Sequence, residues 1–201
     1  MRDLSRLARS SGALAMVAVD QREALRGMFA VHQSESVPDS QLTNFKVDVA
    51  RELTPFASAL LVDQEFGIDA IVNQGAMAEG SGLIAAADLL IGPAGGAATD
   101  TALDLAVDPV RMKEIGAVGL KFLVLWRKDE QPEDRLKLVN QFKEYCEKAD
   151  LPSIIEIIVK QPNSSDVKFD RKPRSLKQLK RPAIGNLIFI KLKFHFTAKV
   201  I

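Results

Sequence analysis

The stretch at residues 118–126 reads Val-Gly-Leu-Lys-Phe-Leu-Val-Leu-Trp, an apolar run that contains one charged residue, Lys121. Four similar runs occur elsewhere in the chain, at residues 13–19, 57–62, 82–87 and 154–159. Such runs lack the polar and apolar alternation of half-exposed strands and are typical of strands buried on both faces. The five runs therefore predict the strands of a parallel sheet.

Helix-like stretches lie between several of these runs. They are residues 39–52, with a candidate N-cap at Asp39 or Ser40, residues 108–114, and residues 133–149. Strands that alternate with helices predict an α/β fold. A complete (β/α)8 barrel has about 250 residues, and this chain supplies about five βα units. The sequence therefore predicts an incomplete TIM (β/α)8 barrel.

Composition and simple motifs exclude several classes of protein. The chain has 201 residues, of which 47% are hydrophobic and 26% charged, as in ordinary globular proteins. A single cysteine, Cys146, cannot form an internal disulfide, and no signal peptide or apolar membrane span is recognisable, so we expect a cytoplasmic protein without a membrane partner. His32 and His195 have no second ligand at metal spacing, so no metal site is predicted. Residues 92–96 (Gly-Pro-Ala-Gly-Gly) lack the dinucleotide fingerprint and are interpreted as a loop, and no cofactor is predicted.

Two charged residues, Lys121 and Glu156, lie inside otherwise apolar runs. Burial of a charge is costly unless it is paired or serves a function. A buried ion pair without chemistry is one explanation, and an active site inside the barrel is the other. Polar residues also follow the first two runs, at residues 20–23 and 63–65. The carboxyl ends of strands are where barrels place their active sites.

Four segments in the same order resemble the bacterial class I aldolases, a family that includes tagatose-1,6-bisphosphate aldolase and sulfofructosephosphate aldolase. The segments are residues 18–26 (Ala-Val-Asp-Gln-Arg-Glu-Ala-Leu-Arg), 43–47 (Thr-Asn-Phe-Lys-Val), 53–63 (Leu-Thr-Pro-Phe-Ala-Ser-Ala-Leu-Leu-Val-Asp) and 120–127 (Leu-Lys-Phe-Leu-Val-Leu-Trp-Arg). The resemblance extends over about residues 4–171.

The resemblance implies a Schiff-base mechanism without a cofactor, in which a lysine amine attacks a ketose carbonyl and the C3–C4 bond then breaks. It also implies that Asp20, Lys121 and Glu156 surround that lysine. Lys121 would lower the pKa of the neighbouring amine, and Glu156 would transfer protons. The family often has Pro after this Glu, whereas the present chain has Ile157.

The resemblance also implies substrate contacts from Gln21, Arg22, Asp63 and Arg127, although a surface salt bridge is an equal alternative for Arg22. The partner would be a small-molecule sugar phosphate and not a nucleic acid, and full-length members of the family would be homo-oligomers. The Leu-Trp-Arg ending of the Lys121 run and Ser-Ile-Ile-Glu at residues 153–156 look closer to the sulfofructosephosphate branch. We therefore expect cleavage of 6-deoxy-6-sulfofructose 1-phosphate to dihydroxyacetone phosphate and 3-sulfolactaldehyde. Tagatose 1,6-bisphosphate cleavage and non-catalytic sugar-phosphate binding are the alternatives.

The charge of the chain changes abruptly after Asp170. The net charge is −8 up to Asp170 and +9 from Arg171 onward, where nine Lys or Arg occur without an acidic residue. The family's Schiff-base motif, Tyr-Lys-Val-Glu, is absent. When residues 172–201 are back-translated and read one base earlier, they can encode an amphipathic helix followed by Tyr-Lys-Val-Glu. We therefore interpret residues 1–171 as part of an aldolase barrel and residues 172–201 as an aberrant basic tail produced by a frameshift.

This interpretation predicts that the 201-residue chain is inactive. Lys191 overlaps the codon of the lost lysine and would not replace it. The alternative is a genuine basic extension that binds nucleic acid or acidic lipid.

Overall fold

A computed structural model describes residues 4–92, 98–127 and 131–160, together with the backbone of Ile188 and Phe189. In this part of the chain the strands are β1 (Met16–Ala18), β2 (Ala59–Asp63), β3 (Gly82–Ala86), β4 (Asp88–Ile91), β5 (Asp100–Leu103), β6 (Ala117–Trp126), β7 (Ser153–Val159) and β8 (Ile188–Phe189). The α-helices are α1 (Glu23–Ala30), α2 (Asp39–Leu53), α3 (Asp69–Asn73), α4 (Pro109–Glu114) and α5 (Pro132–Glu147).

The main sheet has the strand order β1-β2-β3-β6-β7-β8, and each neighbouring pair is parallel. Strands β4 and β5 form a separate antiparallel pair that is inserted between β3 and β6. The sheet is curled, so the predicted α/β fold and incomplete (β/α)8 barrel are confirmed.

The five apolar runs correspond to β1, β2, β3, β6 and β7, and the three helix-like stretches correspond to α2, α4 and α5. Helices α1 and α3 and the β4–β5 pair were not predicted. The proposed N-cap was wrong, because Pro38 occupies that position without a side-chain hydrogen bond. Asp39 instead lies in the first turn of α2 and accepts a hydrogen bond of 2.7 Å from the Arg26 guanidinium.

Apolar side chains pack on both faces of the sheet. On the face toward the helices, Leu60 and Phe122 pack in one cluster with Phe142 of α5, and the rings of the two phenylalanines stack with their centroids 5.2 Å apart. The opposite face, inside the half-barrel, is a smaller cluster of Leu7, Ala59, Leu61, Ile84, Ala86, Val118 and Ile154. Among the described residues, no helix has the length and apolar character needed to cross a membrane.

Parts of the sequence-based predictions lie outside the described residues. They include four of the five residues of the predicted loop at 92–96 and the boundary at residue 171. They also include the tail, except for the backbone of Ile188 and Phe189, which pairs with β7. The domain division at residue 171 and the frameshift origin of the tail stay predictions.

Candidate active site

A β-bulge in β6 determines which side chains of this strand enter the half-barrel. Leu83 of β3 lies opposite Ala117, and the next residue of β3, Ile84, lies opposite Gly119. Val118 is therefore an extra residue without a partner on β3. Such a bulge changes the direction in which the following side chains point.

The bulge turns Lys121 inward. Val118 packs in the interior cluster, whereas Leu120 and Phe122 pack on the helix side. Alternation along the strand after the bulge then places Lys121 on the interior face. Gly82 makes room for this arrangement, because a Cβ atom at Gly82 would lie 2.6 Å from Cγ2 of Val118.

The ammonium group of Lys121 lies among three carboxylates. Its Nζ is 2.6 Å from Oδ2 of Asp20, 2.8 Å from Oδ1 of Asp88 and 3.3 Å from Oε2 of Glu156. The side chain of Lys121 is only 2% exposed, and those of Asp20 and Glu156 are 14% exposed. The structure thus brings together Asp20, Lys121 and Glu156, the three residues expected to be catalytic, while their catalytic role stays a prediction. We call Lys121, Asp20, Asp88 and Glu156 the Lys121 cluster.

The Lys121 cluster has an excess of acidic charge. Burial alone lowers the pKa of Lys121, but Asp88, Asp20 and Glu156 outweigh burial and raise the pKa above its ordinary value. Burial raises the pKa of Glu156, Lys121 opposes this shift, and Asp20 adds to it. With all three carboxylates ionised, the cluster carries two negative charges in excess.

Asp88 is a member of the cluster that the sequence analysis missed. Its Oδ1 accepts hydrogen bonds from Nζ of Lys121 at 2.8 Å and from the backbone N–H of Leu123 at 3.2 Å. Asp88 directly follows the apolar run at residues 82–87. The rule that polar residues at strand ends form barrel active sites would have found it.

A second buried ion pair, Lys46 with Asp63, lies beside the cluster. Both side chains are 0% exposed. Lys46 donates to Asp63 and to the backbone carbonyls of Val19, at 2.6 Å, and Gln21, at 2.8 Å. The other carboxylate oxygen of Asp63 accepts from the backbone N–H of Phe66 at 2.8 Å. Asp63 was expected to contact substrate, but in this structure its carboxylate is buried and both oxygens are engaged, so the contact stays a prediction that this geometry does not favour.

The other expected substrate contacts lie around this region. Gln21 is half-buried and follows Asp20 directly. Nε of Arg22 is buried without a hydrogen-bond partner among the described residues and is 4.0 Å from a carboxylate oxygen of Glu65. The guanidinium of Arg127 is largely buried and donates to the backbone carbonyl of Thr99 at 2.7 Å. Their roles toward a substrate stay predictions.

No group of His, Cys, Asp and Glu in the described part of the chain could hold a metal ion. At the centre of the three carboxylates of the Lys121 cluster the cation is the ammonium of Lys121 itself. Carboxylates and an ammonium can bind anionic oxygen, polarise a carbonyl and transfer protons.

Comparisons with known proteins identify the family of the chain. A family model described as "DeoC/LacD family aldolase" matches residues 14–185. The chain belongs to the DeoC/LacD aldolase family. It is 34% identical to "Tagatose 1,6-diphosphate aldolase 2" of Enterococcus faecalis over 160 residues, 77% of this chain and 46% of the relative. It is 30% identical to "Tagatose 1,6-diphosphate aldolase" of Staphylococcus aureus (strain N315) over 184 residues, 87% of this chain and 55% of the relative. The chain thus spans about half the length of these curated relatives.

Proposed function

We propose that this chain is part of a class I aldolase that cleaves a phosphorylated ketose, with tagatose 1,6-bisphosphate as the first substrate to test. The Lys121 cluster, on the interior face of a parallel half-barrel, is the observation that carries the proposal. The names of the relatives favour tagatose bisphosphate over the sulfofructose phosphate expected from the sequence. Both substrates would give dihydroxyacetone phosphate and an aldehyde.

The excess negative charge of the Lys121 cluster supports the presence of a further amine in the complete site. In the restored frame another strand would take the place that β8 occupies beside β7, and a lysine there would approach Glu156. The two excess negative charges of the cluster would stabilise a second ammonium or the iminium cation that replaces it.

The chemistry follows from this arrangement. The lysine amine adds to the ketose C2 carbonyl, and loss of water gives an iminium. A base removes the proton of the C4 hydroxyl, the electron pair of the C3–C4 bond moves to the iminium, and the aldehyde leaves. Protonation of the enamine at C3 and addition of water release dihydroxyacetone phosphate and restore the amine. Glu156 suits both proton transfers, because burial raises its pKa above the ordinary value of a glutamate.

The role that we propose for Lys121 differs from the expectation based on like-charge repulsion. Asp20, Asp88 and Glu156 offset its charge, so Lys121 has less effect on the pKa of a neighbouring amine than an unpaired ammonium would have. We assign Lys121 to the orientation of the carboxylates and to hydrogen bonding with a substrate oxygen. Gln21, Arg22 and Arg127 are the proposed substrate contacts.

Two other functions have a sequence feature in their favour. The Leu-Trp-Arg ending at residues 125–127 and Ser-Ile-Ile-Glu at residues 153–156 favour sulfofructose 1-phosphate as substrate. The absence of a Tyr-Lys-Val-Glu motif favours a chain that binds a sugar phosphate without cleaving it. A cytoplasmic location and assembly into homo-oligomers belong to the same proposal.

Turnover assays of two chains test the proposal. The 201-residue chain and a chain expressed after the frame is restored near codon 171 are each incubated with tagatose 1,6-bisphosphate and with 6-deoxy-6-sulfofructose 1-phosphate. We expect aldehyde release by the restored chain alone, with a higher kcat/KM for tagatose 1,6-bisphosphate. Glu156→Gln should remove activity, and Lys113→Met, on the distant helix α4, should retain it. Failure of the restored chain on both substrates would overturn the proposal, and faster cleavage of the sulfonated substrate would reverse the order of the two.

A further inference from the structure

We propose that Lys46 is a positioning residue that holds the backbone on both sides of Asp20 and thereby directs the Asp20 carboxylate at Lys121. The importance of this role for catalysis rests on the proposed function. The contacts of Lys46 can be tested without any aldolase activity. In the sequence, Lys46 belongs to the Thr-Asn-Phe-Lys-Val segment, and no role was predicted for it.

The backbone around Asp20 extends beyond the strand pairing of β1. The register with β2 ends at Ala18 opposite Leu61, and the backbone N–H of Val19 then donates to the carbonyl of Leu61 at 2.8 Å. The carbonyls of Val19 and Gln21 accept from Lys46 instead. One ammonium therefore fixes the peptide groups on either side of Asp20.

Lys46 is itself anchored by the end of β2. Its third hydrogen bond goes to Asp63, and the second oxygen of Asp63 accepts from Phe66 in the turn that follows the strand. An ammonium has three N–H donors, and here all three have acceptors. The link runs from β2 through Asp63 and Lys46 to the residues that flank Asp20.

The structure leaves a specific space for the Lys46 side chain. A Cβ atom at Gly67 would lie 2.2 Å from Cγ2 of Val62 and 3.2 Å from Cδ of Lys46. Glycine at position 67 therefore permits the close approach of the turn to Lys46. A lysine that only contributed charge to α2 would not need a buried, tightly packed side chain whose ammonium has three acceptors.

The pH titration of Glu156 reports the position of Asp20 without any turnover. Asp20 raises the pKa of Glu156, and Lys121 lowers it. If Lys46→Met lets Asp20 move away, the pKa of Glu156 should fall, as it should in the reference variant Asp20→Asn. Direct loss of the Lys46 charge would act in the opposite direction, because removing a nearby cation raises a carboxyl pKa. The sign therefore separates displacement of Asp20 from a simple charge effect.

The experiment is a 13C NMR titration of the Glu156 side-chain carboxyl carbon in the 201-residue chain. We expect Lys46→Met to lower the Glu156 pKa by at least about half of the fall seen in Asp20→Asn. The double variant Asp20→Asn, Lys46→Met should show little further fall, because both changes act through Asp20. Lys113→Met is the matched control, since Lys113 also donates to a backbone carbonyl, that of Ala149 at 2.7 Å, and should leave Glu156 unchanged.

Because Lys46→Met leaves Asp63 buried without its partner, Lys46→Met, Asp63→Asn is measured in parallel. An unchanged or raised Glu156 pKa in the folded variants would overturn the proposal. Loss of folding in both variants, with Lys113→Met folded, would also overturn it, because Lys46 would then serve stability alone. A shared fall in the pKa would support the proposal even if the chain and its restored form had no aldolase activity.

Discussion

Lys46 and Lys121 are both buried lysines in ion pairs, yet their surroundings differ in one decisive respect. Lys46 shares its ammonium between one carboxylate and two backbone carbonyls, and its pKa is lowered because burial outweighs the attraction of Asp63. Lys121 has three carboxylates around it, and its pKa is raised. Burial opposes the charged form of both lysines, so the number of carboxylates decides the sign of the shift.

The surroundings of Lys46 serve structure, whereas those of Lys121 are suited to chemistry. Around Lys46 all donors are used and no side chain of the pair reaches solvent. Around Lys121 there is surplus negative charge, and Asp20 and Glu156 remain partly exposed. Surplus charge with access to a ligand is what a site that stabilises a cationic intermediate requires.

Breaking the Lys46–Asp63 pair, which has no access to water, should lower the stability of the chain the most. Asp63→Leu leaves the Lys46 ammonium buried with carbonyl acceptors only, and we expect a loss of about 3–5 kcal/mol in the free energy of unfolding. Lys121→Met should cost less, because Asp20 and Glu156 can still be hydrated and Asp88 keeps the hydrogen bond from the backbone N–H of Leu123. Urea unfolding at neutral pH measures both variants. A smaller loss for Asp63→Leu than for Lys121→Met would contradict the distinction between the two regions.

Stability at alkaline pH should separate the two lysines by sign. The pKa of Lys46 is lowered from 10.5, so just below 10.5 the unfolded chain binds more protons and the parent gains stability relative to Lys46→Met as the pH rises. The pKa of Lys121 is raised above 10.5, so the parent loses stability relative to Lys121→Met as the pH rises past that value. Unfolding free energies across the alkaline range measure both differences. Slopes of the same sign would show that the surroundings of the two lysines do not differ as described.

A smaller effect is expected from Glu156 at acidic pH. Its pKa is raised from 4.5, so between 4.5 and the folded value the native chain binds more protons than the unfolded chain. The parent should therefore lose stability relative to Glu156→Gln as the pH rises through this window. Unfolding of both chains at matched pH values tests this. A difference that does not vary with pH would mean that Glu156 titrates normally.

The smallest effect is expected from a pair on the surface. Arg111 and Asp69 are 2.6 Å apart, but their side chains are 43% and 54% exposed. We expect Arg111→Ala to change the free energy of unfolding by less than about 1 kcal/mol, because solvent screens exposed pairs. The same urea experiment supplies the value. A loss of stability as large as that of Asp63→Leu would show that burial does not explain why the Lys46–Asp63 pair contributes more than the Arg111–Asp69 pair.

The sequence predicted the main strands because their apolar runs are continuous, which is a local property. It also identified Lys121 and Glu156, since charges inside such runs are rare. The bulge at Val118 was not predictable from the run, because it depends on the register with β3. Asp88 directly follows an apolar run, as Asp20 does, so it was predictable, but it was not included in the predicted site. Lys46 had a signal as well, since it is four residues after the buried Leu42 and four before the buried Ala50 on the same face of α2.

Trapping of the Schiff base tests whether the Lys121 cluster supports an aldolase lysine. The restored chain and the 201-residue chain are each incubated with tagatose 1,6-bisphosphate, reduced with borohydride and analysed by mass spectrometry. We predict one adduct per restored chain, mapped to the lysine of Tyr-Lys-Val-Glu, and none on the 201-residue chain. Lys121→Met in the restored chain distinguishes support from attachment, because a supporting residue alters the yield of the adduct and not its position. An adduct on Lys121 or Lys191, or an unlabelled restored chain, would contradict the assignment of the Lys121 cluster as the support of an aldolase lysine.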